Sequence, residues 1–337
     1  MIFPKKISVC IPVCNTEKWL MQCLESVVLQ DFGGGIEILV LSDASRGKDE
    51  SGQNAKKIVK EFSKTIKKRG LSDNISVRYL ENTNNLALIE SRRRLVSEAH
   101  GDYIFMLDSD DFLPPNALSS LYREAIKHNA DVVQGDCVTL DSEGKNHVES
   151  RNEVHPYEGI LEGKSVFSGC FIEGKYRPVI ATKLIRKEIY LKAFSQIPFI
   201  KAHMAEEVLQ YFFIARFSKL YVGIKTPVYF YRQGVGITSK KITEISEWQK
   251  VCSAASIITA LYDWAENEEK NGNPPSQEEM KSLQRLAKFY CVNNVKQFHN
   301  KVSDSIKEEA RAMLNDYWGE DAILRTEAFI QNQKAPD

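Results

Sequence analysis

Through its first 140 residues the chain alternates short β-branched apolar runs with stretches of helical period, and few folds satisfy that alternation. Residues 7–13, 36–41, 75–80, 103–107 and 131–140 have the length and composition of buried strands. Between them the period changes. From Glu17, the residues Trp19, Leu20, Cys23, Leu24, Val27 and Val28 recur on one helical face. Residues 51–69 read as a lysine-rich helix closed by Gly70, and residues 86–99 as a helix ending at Gly101. Pro114 and Pro115 open a helix to about His128, proline being tolerated in a first turn. Strand and helix in turn predict an α/β fold, with a Rossmann-like, mostly parallel sheet flanked by helices. Such sheets bind ligands beyond the carboxyl ends of their strands. The positions of interest are therefore Asn15, Asp43, Asn85 and the run Asp108 to Asp111.

The second half is organised differently. Residues 141–200 are less regular and richer in glycine and charge. Residues 205–217 form a helix that is apolar nearly all round, and residues 220–231 are strand-like. From about Lys241 the pattern is all helix, with segments at 242–268, 277–298, 303–316 and 320–331. Gly272, Pro274 and Pro275 mark a loop between the first two. Trp248, Tyr262 and Trp264 read as packing residues of this helical extension, and the lysines at 56, 57, 60, 64, 67 and 68 as a solvated face.

Charge and cysteine usage narrow the function. Forty-five basic side chains balance forty-five acidic ones, which argues against a nucleic-acid binder. Seven cysteines, an odd number with no CxxC pair, read as free thiols in a reducing compartment. The first residues carry no apolar segment of a signal peptide, and no run of about 18 apolar residues spans a bilayer. The expectation is a cytoplasmic protein, with peripheral contact to the inner face of a membrane left open.

Three carboxylates within four residues, Asp108, Asp110 and Asp111, follow the apolar run 103–107. Hard oxygen ligands at a strand end suit Mg²⁺ or Mn²⁺, which take one or two carboxylates and fill the shell with phosphate and water. A helix cap ahead of Pro114 would account for one acid, and Asp111 is the one placed for it. Asp43, after the second strand, is placed to accept hydrogen bonds from a base or ribose, or to close an Asx turn. Arg92, Arg93 and Arg94 lead toward the acidic strand end, where an Arg fork can pair with Asp43 or with phosphate. Glu206 and Glu207 open an apolar helix, a position that the helix dipole favours and that a general base can also occupy.

These segments, in this order, resemble the family-two glycosyltransferases of the GT-A fold. Ile7 through Glu17 looks like the family's opening strand, and Trp19-Leu20 and Cys23 through Gln30 continue it. Ser42-Asp43-Ala44-Ser45 resembles its DDGS-type turn, and Asn85 through Arg92 with Gly101-Asp102-Tyr103-Ile104 its next block. Leu107 to Asp111 resembles its L-D-S-D-D motif. Thr182-Lys183-Leu184, Glu206-Glu207 and Tyr229 through Thr238 resemble later blocks, so the match covers about residues 5 to 240.

The resemblance implies a GT-A domain over residues 1–240, with a nucleotide-sugar half to about 115 and an acceptor half beyond, then a helical region over 241–337. It implies that Asp43 binds the nucleobase, usually uracil, in a pocket lined by Pro12, Val13, Asn15 and Glu17, with Asn85, Arg92 and Ser109 nearby. It implies that Asp108 touches ribose or metal-bound water, that Asp110 ligates the metal, and that Glu207 is the base with Glu206 beside it. Lys183 and Arg232 are implied to reach phosphate or acceptor. The expected reaction is inverting transfer from a nucleoside-diphosphate sugar to a hydroxyl of a glycan or lipid-linked acceptor, in surface polysaccharide synthesis. The chain departs from the family pattern at Ser42, Ala44, Ala87 and Arg93, and has Glu206-Glu207 where Glu-Asp is usual. Two alternatives stay open. A nucleotidyltransferase would use a similar acid cluster, although Val13 to Glu17 contains no phosphate-cradling glycine. A catalytically inactive nucleotide-sugar-binding module is the other.

Overall fold

The structure, a computed structural model, describes residues 5–149, 154–235 and 241–332. The N-terminal residues 1–4 and Thr238, which ends the last motif block, lie outside them. In chain order the first elements are β1 (Lys5–Val13), α1 (Glu17–Val28), β2 (Gly35–Asp43), α2 (Ala55–Lys68), β3 (Ile75–Asn82), α3 (Ala87–Glu98), β4 (Tyr103–Met106), α4 (Ala117–His128) and β5 (Val132–Leu140). There follow β6 (Gly159–Glu162), α5 (Lys164–Phe171), β7 (Lys183–Arg186), α6 (Lys187–Gln196), α7 (Glu206–Phe217) and β8 (Leu220–Arg232). Five helices complete the described chain: α8 (Ile245–Cys252), α9 (Ala254–Lys270), α10 (Gln277–Lys301), α11 (Lys307–Trp318) and α12 (Glu320–Asn332).

The described strands form one eight-stranded sheet in the order β3-β2-β1-β4-β7-β5-β8-β6. The first four run parallel, each joined by a crossover helix, and β5 pairs β8 in parallel. The short β7 runs antiparallel between β4 and β5, and β6 antiparallel at the edge of β8. The sheet is thus mostly parallel, as the alternation predicts. Every residue of β2 is buried, as for a strand covered on both faces. A core of β1, β2 and β4 side chains with Leu20, Leu24, Phe62 and Leu121 holds the helices to it.

Local chemistry fixes where helices start. Asn54 accepts a hydrogen bond from the Lys57 amide, so α2 begins at Ala55 rather than at Ser51. At α4 the first helical residue is Ala117, beyond both prolines. In α10, Ser276 and Glu279 form a reciprocal capping box.

The chain clusters into two compact units: residues 1–196 with 210–236, and residues 197–209 with 237–337. The second has its own core, built from Trp248, Val251, Val295, Phe298, Leu314 and Ile323. The Trp248 indole donates to the Ala310 carbonyl at 2.9 Å, so that buried N–H is satisfied. Among the described residues no helix is long and apolar enough to cross a membrane.

Candidate active site

Parallel pairing brings the carboxyl ends of β1, β2 and β4 side by side, and the residues just beyond them form one hydrogen-bonded cluster. Asn15 follows β1 with φ 61°, a left-handed conformation that Asn tolerates. Its amide donates to the Ser45 hydroxyl at 2.7 Å, and its side-chain oxygen accepts from the Arg46 amide at 3.2 Å. Ser45 in turn donates to Glu17 Oε1 at 2.6 Å. Glu17 is buried, and its Oε2 has no hydrogen-bond partner. A Cβ on Gly47 would fall 1.9 Å from that oxygen, so only glycine lets the β2 loop pass over the carboxylate.

Asp43 ends β2 and is buried. Its Oδ1 accepts from Asn82 Nδ2 at 2.8 Å and from the Leu86 amide at 2.9 Å. Asn85 Nδ2 donates to the Asp43 carbonyl at 3.2 Å and approaches Cys14 Sγ at 3.5 Å. Asp43 therefore organises the β3 loop with one oxygen. Asn82, the last residue of β3, is part of this cluster and escaped the motif reading; its signal is a polar residue at a parallel strand end.

Beyond β4, Ser109 donates to the Pro12 carbonyl at 2.9 Å, and the Thr16 hydroxyl stands 2.6 Å from it. This ties the β4 tip to the β1 tip. Arg92, which is almost wholly buried, places Nη2 3.4 Å from Asp108 Oδ1. Of the three arginines this is the one aimed at the acid run. Arg93 pairs with Glu90, and Arg94 with Asn82 Oδ1.

Asp111 does not cap a helix. Its two oxygens accept from the Tyr229 hydroxyl at 2.8 Å and the Arg232 amide at 2.7 Å, which clasps the acid turn to the end of β8. Arg232 adds Nε to the Asp110 carbonyl at 2.9 Å and Nη2 to Gln22 at 2.7 Å. Tyr229 and Gln22, missed as individual site residues, complete the clasp; the Tyr229-Phe230-Tyr231-Arg232 block carried the signal for the first. Burial, with the charges of Asp111 and Asp108, pushes the Tyr229 hydroxyl well above its usual range, so it stays a donor. Burial and the neighbouring acids also push Asp111 well up. Lys183 has its contacts elsewhere. It is buried on β7, donating to the carbonyls of Arg177 and Val179 and lying over the Tyr211 ring.

The other two carboxylates of the turn, Asp108 and Asp110, are half-buried. Burial and the Asp108 charge push Asp110 up to about 6, as expected where two acids crowd in a poorly solvated place. A divalent cation would relieve that repulsion, so the donor set fits Mg²⁺ or Mn²⁺. Among the described residues no group of three or more His, Cys, Asp or Glu side chains could hold a metal ion. Were a metal bound here, Asp108 and Asp110 would be the protein's contribution to its shell, two carboxylates being usual when substrate phosphate supplies the rest.

Glu206 and Glu207 belong to the second unit, where they open α7. Ala205, immediately before them, has φ 65°. Burial and the two glutamate charges push Tyr290 of α10 above its usual range, which marks it as their neighbour.

The sequence model of glycosyl transferase family 2 matches residues 8–202, more than half of the chain. Glycosyltransferase GlyG of Streptococcus pneumoniae serotype 4 is 29% identical over 235 residues, 68% of this chain and 71% of the relative. Glycosyltransferase GlyA of the same strain is 26% identical over 72% of this chain, which spans 33% of GlyA's length. The crystal structure of Staphylococcus aureus TarS 1–349 in complex with UDP aligns with a TM-score of 0.52 at 17% identity, covering 98% of this chain and 93% of that one. A mannosyltransferase from Pyrobaculum calidifontis, in complex with GDP-Man and Mn²⁺, aligns at 0.51 and 12% identity, covering 98% and 81%. With the motif order, the strand-end acids and the sheet topology in agreement, the chain belongs to glycosyl transferase family 2 and is a glycosyltransferase of the GT-A fold.

Proposed function

We propose that the chain moves a sugar from a nucleoside-diphosphate donor, with UDP as the carrier, to a hydroxyl of a glycan or lipid-linked acceptor, with inversion. The observation that carries this is the joining of Asp43, Asn15 and the Asp108-Ser109-Asp110 turn into one hydrogen-bonded cluster across adjacent parallel strand ends. Support for the carrier is the UDP in the TarS complex, and for the metal the Mn²⁺ in the mannosyltransferase. Support for the acceptor class comes from relatives named as poly(ribitol-phosphate) transferases and as a transferase acting on a PP-undecaprenol glycan.

In this reading residues 1–240 are the transferase domain and 241–337 a helical region. Asp43 and the Pro12–Asn15 backbone receive the base, and Glu17 holds Ser45 against the pocket wall. Arg92 holds the Asp108 carboxylate in place. Asp108 and Asp110 would hold a divalent metal, which would supply Lewis-acid stabilisation of the departing diphosphate. Glu207, with Glu206 beside it, takes the proton of the acceptor hydroxyl, a role worth about 10²–10⁴-fold in rate. Lys183, buried among carbonyls, acts through the fold rather than by touching substrate.

Calorimetric titration of UDP with and without Mn²⁺, on wild type and Asp110→Asn, tests the donor site. Metal-dependent binding that weakens at least about tenfold in the variant is expected, the effect of one lost charge-assisted ligand. No binding under either condition would rule out uracil as the base. Glu207→Gln should leave UDP affinity unchanged and reduce transfer; a retained anomeric product would exclude this mechanism.

A further inference from the structure

The helical unit holds a cavity of its own, a groove of ≈ 380 Å³ between α10, the end of α11 and α12. That is inside the range of about 300–1,000 Å³ in which small-molecule sites fall. Its walls are the Trp318 and Phe329 rings with Val292, Ala287 and Ala322. The polar groups at its base are already engaged. Trp318 Nε1 donates to Asn294 Oδ1 at 2.8 Å. The Thr326 hydroxyl donates to the Ala322 carbonyl at 2.7 Å and stands 3.3 Å from Cys291 Sγ. A ligand lying there gains by burying apolar surface, not by hydrogen bonding to the base of the groove.

Charge appears only at the lip, and it is of one sign. Lys288 and Arg325 are both exposed, and no acid lines the groove. The Lys288 ammonium lies 4.0 Å from the centroid of the Phe329 ring, which holds it over the groove instead of leaving it free in solvent. The acid nearest in sequence to Arg325 is committed elsewhere: Glu327 pairs with Arg311 and His299. No described carboxylate forms an ion pair with Lys288 or Arg325.

The geometry points to a binding site for an anionic amphiphile, an alkyl chain in the apolar trough with its phosphate or carboxylate head between Lys288 and Arg325. The Arg fork suits either head. None of the residues that line the groove is one to which a part in the transfer reaction is assigned.

Isothermal titration of the full chain with decyl phosphate below its micelle concentration tests the site, with decanoate as the carboxylate arm and decyl maltoside as the uncharged control. Saturable one-to-one binding of an anion is expected, at least tenfold tighter than the maltoside. Arg325→Glu changes an exposed side chain and should weaken the anion at least tenfold while leaving the maltoside unchanged. Ala322→Phe fills the trough and should abolish both; if it does not fold by circular dichroism, Arg325→Glu still decides. Absence of saturation, equal affinity for charged and uncharged ligands, or indifference to Arg325→Glu overturns the proposal. So does a self-association of the chain that occludes the groove and resists decyl phosphate in sedimentation.

Discussion

Ala44 and Ala87 stand in left-handed backbone, at φ 51° and 68°, one after β2 and the other at the start of α3. The family pattern has glycine at both, and glycine alone adopts this conformation without a Cβ penalty. A side-chain-bearing residue there costs about 1–2 kcal/mol, of which glycine's greater freedom in the unfolded chain takes back a part. Ala87→Gly should therefore stabilise the protein by about 0.5–1 kcal/mol, a gain of a few degrees in Tm by thermal unfolding. An unchanged or lower Tm would mean that the loop holds this conformation without strain. The departure from glycine is legible in the sequence, while the retained backbone conformation is not. Asp111 teaches the same lesson from the other side. Its local context reads as a cap, and its actual partners, Tyr229 and Arg232, lie more than a hundred residues away.

At the scale of elements, Glu37 locks four of them together from inside β2. It accepts from the Ser8 hydroxyl at 2.6 Å, the His100 amide at 2.7 Å and Arg78 Nη1 at 3.1 Å, and Arg78 also bridges to Glu98 at the end of α3. A Cβ on Gly101 would sit 2.6 Å from the Ser8 amide nitrogen, so glycine is required where the chain enters β4 against this network. Burial alone would raise the Glu37 carboxyl, but Ser8, His100 and Arg78 outweigh it and hold the group below its ordinary value. With the folded value depressed, the stabilisation is fully present above the unfolded glutamate range and is lost as pH falls through the folded value. Urea titrations from about pH 6 to pH 3 should show that loss in wild type and a flatter profile in Glu37→Gln, which should also be on the order of 2 kcal/mol less stable at neutral pH.

The long elements were readable because their period repeats often enough to be counted, and β1 to β4 lie within a few residues of their expected places. The four-residue β6 and β7 were not, since four residues carry no period, and their antiparallel places depend on partners elsewhere in the chain. The break at Ser253 that divides 242–268 into α8 and α9 likewise has no proline or glycine to announce it.

Over the whole molecule, each of the two units has a core of its own among the described residues, one against the sheet and one among the helices. Composition announces the helical tail. No local pattern marks residues 197–209 for the helical unit, because tertiary packing alone decides that membership. The charge is also a property of the whole. With 45 basic and 45 acidic side chains the formal net charge is +0 at pH 7, so no long-range repulsion keeps copies apart there. Precipitation by polyethylene glycol should show a solubility minimum near neutral pH, with higher solubility by about pH 8.5 as net negative charge builds. A flat profile would point to short-range patches as the control.

Of the seven cysteines, five are buried and Cys137 is half-buried, while Cys14 is exposed just past β1, with Asn85 of the β3 loop against its sulfur. The molecule thus carries a single readily accessible thiol at the rim of the proposed donor pocket. A covalent tag placed there would stand in the path of an entering nucleotide. The same atom becomes a reporter when the pocket is filled and a blocking group when it is modified, in a chain whose other thiols the fold has largely withdrawn from solvent.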